Sequence, residues 1–154
     1  KLWDIRKGAA IHTLTHHKKG VRALAMHSRD YSFASAAADK IRIWKLPEGD
    51  QLRKLPEHNA VLNALAINSD DVMVSGADNG TLSFFDWKSG HCFQSLQSPV
   101  QPGSLSSEAA ILDIKFDRSS LRMITAECDK TIKVWKEDET ATPETHPIVY
   151  NYDD

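Results

Sequence analysis

Cysteine is scarce. Cys92 and Cys128 are the only two in 154 residues, far apart and in no C-x-x-C pair. That argues against a disulfide framework or a zinc ribbon and fits a reducing compartment. No apolar run approaches the roughly 20 residues that a membrane span needs, so no membrane contact is expected. The opening KLWDIRKG carries charge and a tryptophan where a secretory signal would be apolar. No stretch keeps a 3.6-residue apolar period, so no helix is read. Neither a G-x-x-x-x-G-K-[ST] loop nor a G-x-S-x-G elbow occurs, and GADNG at 76–80 is a turn without a lysine to reach a phosphate. Basic residues are missing from 137–154, which hold six acids. The remainder, 1–136, then carries 19 basic against 15 acidic residues. Such a mild excess permits proximity to RNA without demanding it.

What is present is enough apolar material for one modest core (41% hydrophobic, 26% charged) and a repeat. Trp3 to Trp44 is 41 residues, Trp44 to Phe85 is 41, and Phe85 to Trp135 is 50. The excess falls in one place, QSPVQPGSLSSEAA at 97–110. A period near 40 with strand chemistry points to propeller blades. VRALAMH (21–27), VLNALAI (61–67) and ILDIKF (111–116) are apolar runs with little alternation, as expected of strands buried on both faces. SFASA, VMVSG and RMITA lead into Asp39, Asp78 and Asp129. Third strands follow in KIRIWKL, TLSFFDW and KTIKVWK, and fourth strands after glycine turns.

The recurring order is His, an apolar strand, Ser or Thr, Asp in a turn, then an aromatic. It reads His17, Ser35, Asp39, Trp44; then His58, Ser75, Asp78 with Phe85 at the tryptophan place; then Thr125, Asp129, Trp135 with no histidine. This pattern resembles the WD-repeat family. The resemblance implies an all-β, partial seven-bladed propeller of about three and a half blades. Residues 1–15 would be the third and fourth strands of an incomplete blade, and 16–56 and 57–96 blades. Residues 97–136 would be a last blade with the insertion at 97–110 and no outer strand, and 137–154 an acidic tail. It also implies a hydrogen-bonded network of His17, Ser35, Asp39, Trp44, His58, Ser75, Asp78, Thr125, Asp129 and Trp135. The physics agrees: a packed indole N–H needs an acceptor, and a hydroxyl can relay to an imidazole. A Ser-His-Asp nucleophile set is the sharper reading of His17, Ser35 and Asp39. A catalytic set occurs once, whereas this one recurs with a tryptophan, so no catalytic residue is expected. The unit without histidine and the unit with Phe85 are expected to have incomplete networks and to rely more on packing.

Other groups have plain readings. His12, His16, His17 and His27 crowd the early chain but lack the four-ligand geometry of zinc, so no metal or other cofactor is expected. Asp70 and Asp71 in NSDD read as a solvated turn. Lys18, Lys19 and Arg22 share one loop and strand start, with Asn59 and Asn63 at comparable places one blade on. They read as a solvated rim or a contact to an acidic protein or RNA. No aromatic is interleaved for base stacking, so no sequence reading of RNA is expected. The insertion is the strongest functional candidate, with Pro99 and Pro102 stiffening a loop on which Val100 and Leu105 offer apolar anchors. The histidine being absent, the loop is read as free of structural duty.

HNAVLNALAINSDDVMVSGADNGTLSFFDW, VQPGSL and DKTIKVWKEDETATPETHP resemble the C-terminal blades of the pleiotropic regulator family, nuclear WD-repeat proteins of the spliceosome-associated nineteen complex. What the resemblance implies is a non-enzymatic scaffold in pre-mRNA splicing, in the nucleus. Spliceosomal proteins would be its partners, with no small-molecule substrate. A WD-repeat adaptor elsewhere, such as a ubiquitin-ligase substrate receptor, would share every repeat residue and differ only in insertion and tail.

Overall fold

Short β-branched and apolar runs separated by turn residues make thirteen strands in a computed structural model that describes residues 1–38, 40–55, 60–142 and 144–145. Asp39, His58 and Asn59 lie outside the described residues. The strands are β1 (Leu2–Asp4), β2 (Ala9–His12), β3 (Val21–Met26), β4 (Ser32–Ala37), β5 (Ile41–Lys45), β6 (Gln51–Lys54) and β7 (Leu62–Ile67). Then come β8 (Val72–Ala77), β9 (Thr81–Asp86), β10 (Cys92–Gln97), β11 (Ile111–Phe116), β12 (Arg122–Glu127) and β13 (Ile132–Lys136). A single 3₁₀ turn, Ser106–Glu108, lies in the insertion. Among the described residues no helix is long and apolar enough to cross a membrane.

Every pairing is antiparallel between sequence neighbours, giving four meanders: β1-β2, β3-β4-β5-β6, β7-β8-β9-β10 and β11-β12-β13. This is an all-β, partial propeller, with β3 and β11 flanking β7 from its two sides. Two cores follow. Ile41, Ile43, Leu62, Leu65, Met73 and Phe85 fill the space between the second and third sheets. Ala64, Val74, Leu82, Ile111, Ile114 and Met123 fill that between the third and fourth.

Of the three runs β3, β7 and β11, only β7 is buried on both faces. Leu24 and Met26 of β3 are each 63% exposed, and Leu112 of β11 is exposed as well. The expectation of double burial for all three runs is corrected here, and the reason is stacking. A strand has both faces covered only where a sheet lies on each side, and β3 and β11 have one neighbouring sheet each.

The three innermost strands share one irregularity. Their register slips between Val21 and Ala23, between Leu62 and Ala64, and between Ile111 and Asp113. A bulge re-aims the side chain it carries. Here it turns Arg22 and Asn63 along the row of blades: Arg22 Nη1 donates to Asn63 Oδ1 at 3.0 Å, and Asn63 Nδ2 donates to Ile111 O at 3.1 Å. The last bulge carries Leu112, which cannot extend the stitch.

A second stitch runs along the opposite rim, through the first hairpin turn of each sheet. His27 is buried there and stacks on Trp87 at 4.9 Å. Its Nδ1 accepts the N–H groups of Arg29 and Asp30, which leaves Nε2 to donate to Asp71 Oδ1 at 3.1 Å. Asp71 also receives Arg29 at 2.7 Å and Lys88 at 3.3 Å. Arg29 is the main cause of its lowered carboxyl pKa. The reading of Asp71 as a merely solvated turn residue is therefore corrected: from a left-handed backbone position, φ 63°, its carboxylate meets His27 and Arg29 of the neighbouring blade. Ser69 N–H continues the row by donating to Ser120 Oγ at 3.2 Å.

In the second sheet Ser35 Oγ accepts the Trp44 indole N–H at 2.7 Å and lies 2.7 Å from His17 Nε2, with Trp44 buried. In the third sheet Phe85 offers no N–H, and the buried Ser75 hydroxyl has no partner among the described residues. Removing an acceptor that leaves a buried donor unmatched costs about 1–3 kcal/mol, whereas removing an unmatched hydroxyl costs little. Ser35→Ala is therefore expected to lower stability by about 1–3 kcal/mol and Ser75→Ala by much less, read as the shift in urea midpoint. Equal shifts would contradict the assignment. Gly76 provides a second test. A Cβ there would sit 2.6 Å from Ile111 Cγ2 and 2.8 Å from Ile114 Cδ1, so the third and fourth sheets approach closely only across a glycine. Gly76→Ala is expected to destabilise by about 1–3 kcal/mol through overpacking, in the same denaturant assay.

Candidate functional site

The last blade lacks the histidine, yet its hydroxyl is not left alone. Trp135 Nε1 donates to Thr125 Oγ1 at 3.0 Å, and Thr125 Oγ1 donates to Glu127 Oε1 at 2.7 Å. Glu127, itself buried, also accepts from Ser98 Oγ at 2.9 and 2.8 Å and is paired with Lys133. Lys133 further reaches Asp129 Oδ2 at 3.2 Å and donates to Pro99 O at 2.6 Å. The expectation of an incomplete network in this unit is corrected: a carboxylate, an ammonium and a serine take the histidine's place. A buried charge pair is tolerable only when its remaining donors and acceptors are matched, and here they are.

The same cluster corrects the reading of the insertion as free of duty. Gln97 belongs to β10, so the insertion proper starts at Ser98, which is buried. Ser98 N–H donates to Gly80 O of the preceding sheet at 2.9 Å. Gln101 N–H donates to Asp129 Oδ2 at 2.9 Å, and Cys128 N–H donates to Ala110 O at 2.8 Å. At the far end Glu108 accepts Leu105 N–H at 3.1 Å and pairs with Lys130 at 3.4 Å. The Leu105 amide, then Lys130, hold the Glu108 carboxyl below its usual range. Ordered at both ends, the loop presents its middle to solvent: Pro99 and Pro102 are exposed, Val100 is half-buried and Leu105 is 68% exposed.

Of the other sequence candidates, Arg22 and Asn63 are joined to each other by the bulge stitch, and Lys18 and Lys19 are exposed on the loop into β3. Asp78 accepts Val61 N–H at 3.2 Å, tying the loop before β7 to the β8–β9 turn. Asp129 does the corresponding work for the insertion. Sequence reasoning missed Glu127, Lys133 and Ser98. A signal existed: β4, β8 and β12 end on Ala37, Ala77 and Glu127, so an acid replaces alanine in the one unit that lacks histidine. Lys133 occupies the register of Arg42 and Ser83. Among the described residues no three His, Cys, Asp or Glu side chains converge as a metal site would require.

The Asp129 carboxyl is held down to about 2, chiefly by the Thr131 hydroxyl, with the Gln101 amide and Lys133 adding to it against the cost of burial. Burial works against the Lys133 ammonium, but Glu127 and Asp129 outweigh it and raise its pKa. A carboxylate depressed in the folded state contributes stability that is complete above its unfolded pKa, about 3.9, and is lost as pH falls toward the folded value. The melting temperature is therefore expected to drop between about pH 4 and pH 2, and Asp129→Asn to be destabilised at neutral pH with a flatter profile over that window. An unchanged profile in the variant would remove Asp129 from the anchor.

Residues 8–45, 49–86 and 97–136 each match the family described as WD domain, G-beta repeat. The chain is 52% identical over 142 residues to protein pleiotropic regulator PRL2 of Arabidopsis thaliana, covering 92% of this chain and 30% of that protein. It is 47% identical over 141 residues to pre-mRNA-splicing factor PRP46 of Candida glabrata, covering 91% and 33%. It is 53% identical over 126 residues to human pleiotropic regulator 1, covering 82% and 24%. The chain thus spans a third or less of the length of these relatives. Three matched repeats, each taking in three antiparallel strands of one sheet (β3–β5, β7–β9 and β11–β13), place this chain in the WD-repeat family.

Proposed function

We propose that this chain is part of a non-enzymatic scaffold that holds proteins together in pre-mRNA splicing, in the nucleus. The names of its relatives supply the process, since pleiotropic regulators and splicing factors match over most of the chain. The side chains that would make a nucleophile set are engaged in blade structure: Ser35 serves the Trp44 indole and His17 together. One observation carries the scaffold reading. The insertion at 98–110 is held by buried charges at its base and by Glu108 near its end, while Pro102 and Leu105 face solvent. A loop ordered before binding loses less conformational freedom when a partner docks. Leu105 offers apolar area that a docking partner removes from water. Pro99, Val100, Pro102 and Leu105 are the proposed contact residues, with Lys18 and Lys19, exposed on the loop into β3, as a separate basic candidate.

The anchoring contacts of Pro99 and Gln101 are made by backbone atoms, so substitutions at the exposed positions leave them intact. Pro102→Gly combined with Leu105→Ser is expected to keep the melting temperature of the parent. The same pair, placed in the longer protein, is expected to reduce co-purification of splicing proteins from nuclear extract several-fold. Unchanged recovery with an unchanged melt would make the loop a passive insertion.

A further inference from the structure

A groove of about 450 Å³ lies between the second and third blades, opening beside the turns that carry Asp30 and Lys88. Its walls are the outer strands β5 and β6 of one sheet and the β9–β10 turn of the next. Both belong to complete four-stranded sheets, so the groove does not depend on what adjoins either end of the array. Nothing in the repeat pattern or in the proposed insertion surface uses it.

Its lining is apolar with a basic edge. Tyr31 is 83% exposed and Leu52 is 53% exposed, two large side chains at one cleft whose floor holds the buried Trp87 and Ile43. Lys45, Arg53 and Lys88 line it, against Asp30 as the one acid in the lining. These cations are only partly answered. Lys45 lies 3.9 Å from Glu48, both exposed, and Lys88 lies 3.3 Å from Asp71, which already takes Arg29 and His27. Arg53 gives one N–H to Trp87 O at 2.9 Å, and a guanidinium has five. Ser32, also in the lining, is buried with a hydroxyl that has no partner among the described residues.

We propose that this groove binds an acidic peptide segment of a partner protein with an apolar anchor. Carboxylates of the peptide meet Lys45, Arg53 and Lys88, and its apolar side chain lies between Tyr31 and Leu52. Charge complementarity selects an acidic partner, and the apolar floor selects a peptide over a nucleic acid. Trp87 is already stacked on His27, so Tyr31 is the one exposed ring in the groove, too few for a row of stacked bases. The exposed edge of β6 adds free backbone groups beside the groove, with which an extended segment can pair.

The probe is a short fluorescein-labelled peptide in which Glu and Asp flank a Leu-Phe pair, followed by fluorescence anisotropy with the intact chain. Lys45→Glu with Leu52→Ser is expected to weaken binding about tenfold or more while the melt is unchanged. Tyr31→Ser, at a largely exposed position, is a second variant expected to weaken binding should the first be unstable. A control peptide with Ser-Ser in place of Leu-Phe is expected to bind weakly. The proposal is overturned if the parent does not bind the peptide, if both variants bind like the parent, or if the control binds equally. Binding of labelled oligouridylate that the same substitutions abolish, without peptide binding, would make this a nucleic-acid groove and overturn it equally.

Discussion

A sheet whose two faces are both apolar cannot bury itself. The third sheet is such a sheet: Leu62, Leu65 and Met73 serve one core, and Ala64, Val74 and Leu82 the other. Its stability is inseparable from the sheets on either side, and that dependence organises the rest of the molecule. It places β7 between β3 and β11, demands a glycine at position 76 where the neighbouring isoleucines press close, and leaves the outward faces of the strands β3 and β11 exposed. Burial of this kind is non-directional, so it brings the sheets together without setting their angle or register. The polar stitches supply direction. Arg22 and Asn63 act along one rim, and Arg29, Asp71 and Ser120 along the other.

Within each sheet the corresponding problem is an aromatic ring on a packed face. An indole brings an N–H that must be matched, and two blades answer it by different chemistry. The second uses a serine backed by His17. The last uses a threonine backed by Glu127, with Lys133 and Ser98 closing the remaining valences. A histidine in this role is local to its loop, whereas the carboxylate–ammonium cluster reaches out to Pro99 and Gln101. Exchanging one for the other ties the insertion to the blade. The third blade avoids the problem, since Phe85 has nothing to donate.

The two candidate interaction surfaces draw on opposite features of this architecture. The insertion is a rim element whose base is buried and ionic and whose crest is exposed. The groove lies where β5 and β6 and the β3–β4 turn of one sheet meet the β9–β10 turn of the next, with Leu52 and Tyr31 uncovered. A blade array offers both kinds of surface at once, rim loops that vary in length and wedge-shaped clefts that vary in lining. A scaffold that meets several proteins needs separate places to do so.

The sequence by itself determined the repeat, the strand order, the turn aspartates and the position of the extra residues, because these depend on local propensity and on spacing along the chain. Trp44 with Ser35 and Trp135 with Thr125 were legible for the same reason: the paired side chains sit on adjacent strands of a short hairpin, 9 and 10 residues apart. The tertiary structure alone decided what depends on neighbours across sheets. Double burial of β7 but not of β3 or β11 is a matter of which sheet lies beside each. The clamping of Asp71 by Arg29 and Lys88 joins residues from two blades, and no spacing rule announces it. Glu127 shows the boundary between the two. Its place at a column of alanines was visible in the sequence, but its partners Ser98 and Lys133 come together only when the insertion folds back onto β12 and β13. A charge in a strand has no meaning until its counter-charge is known, and that is fixed by packing in three dimensions.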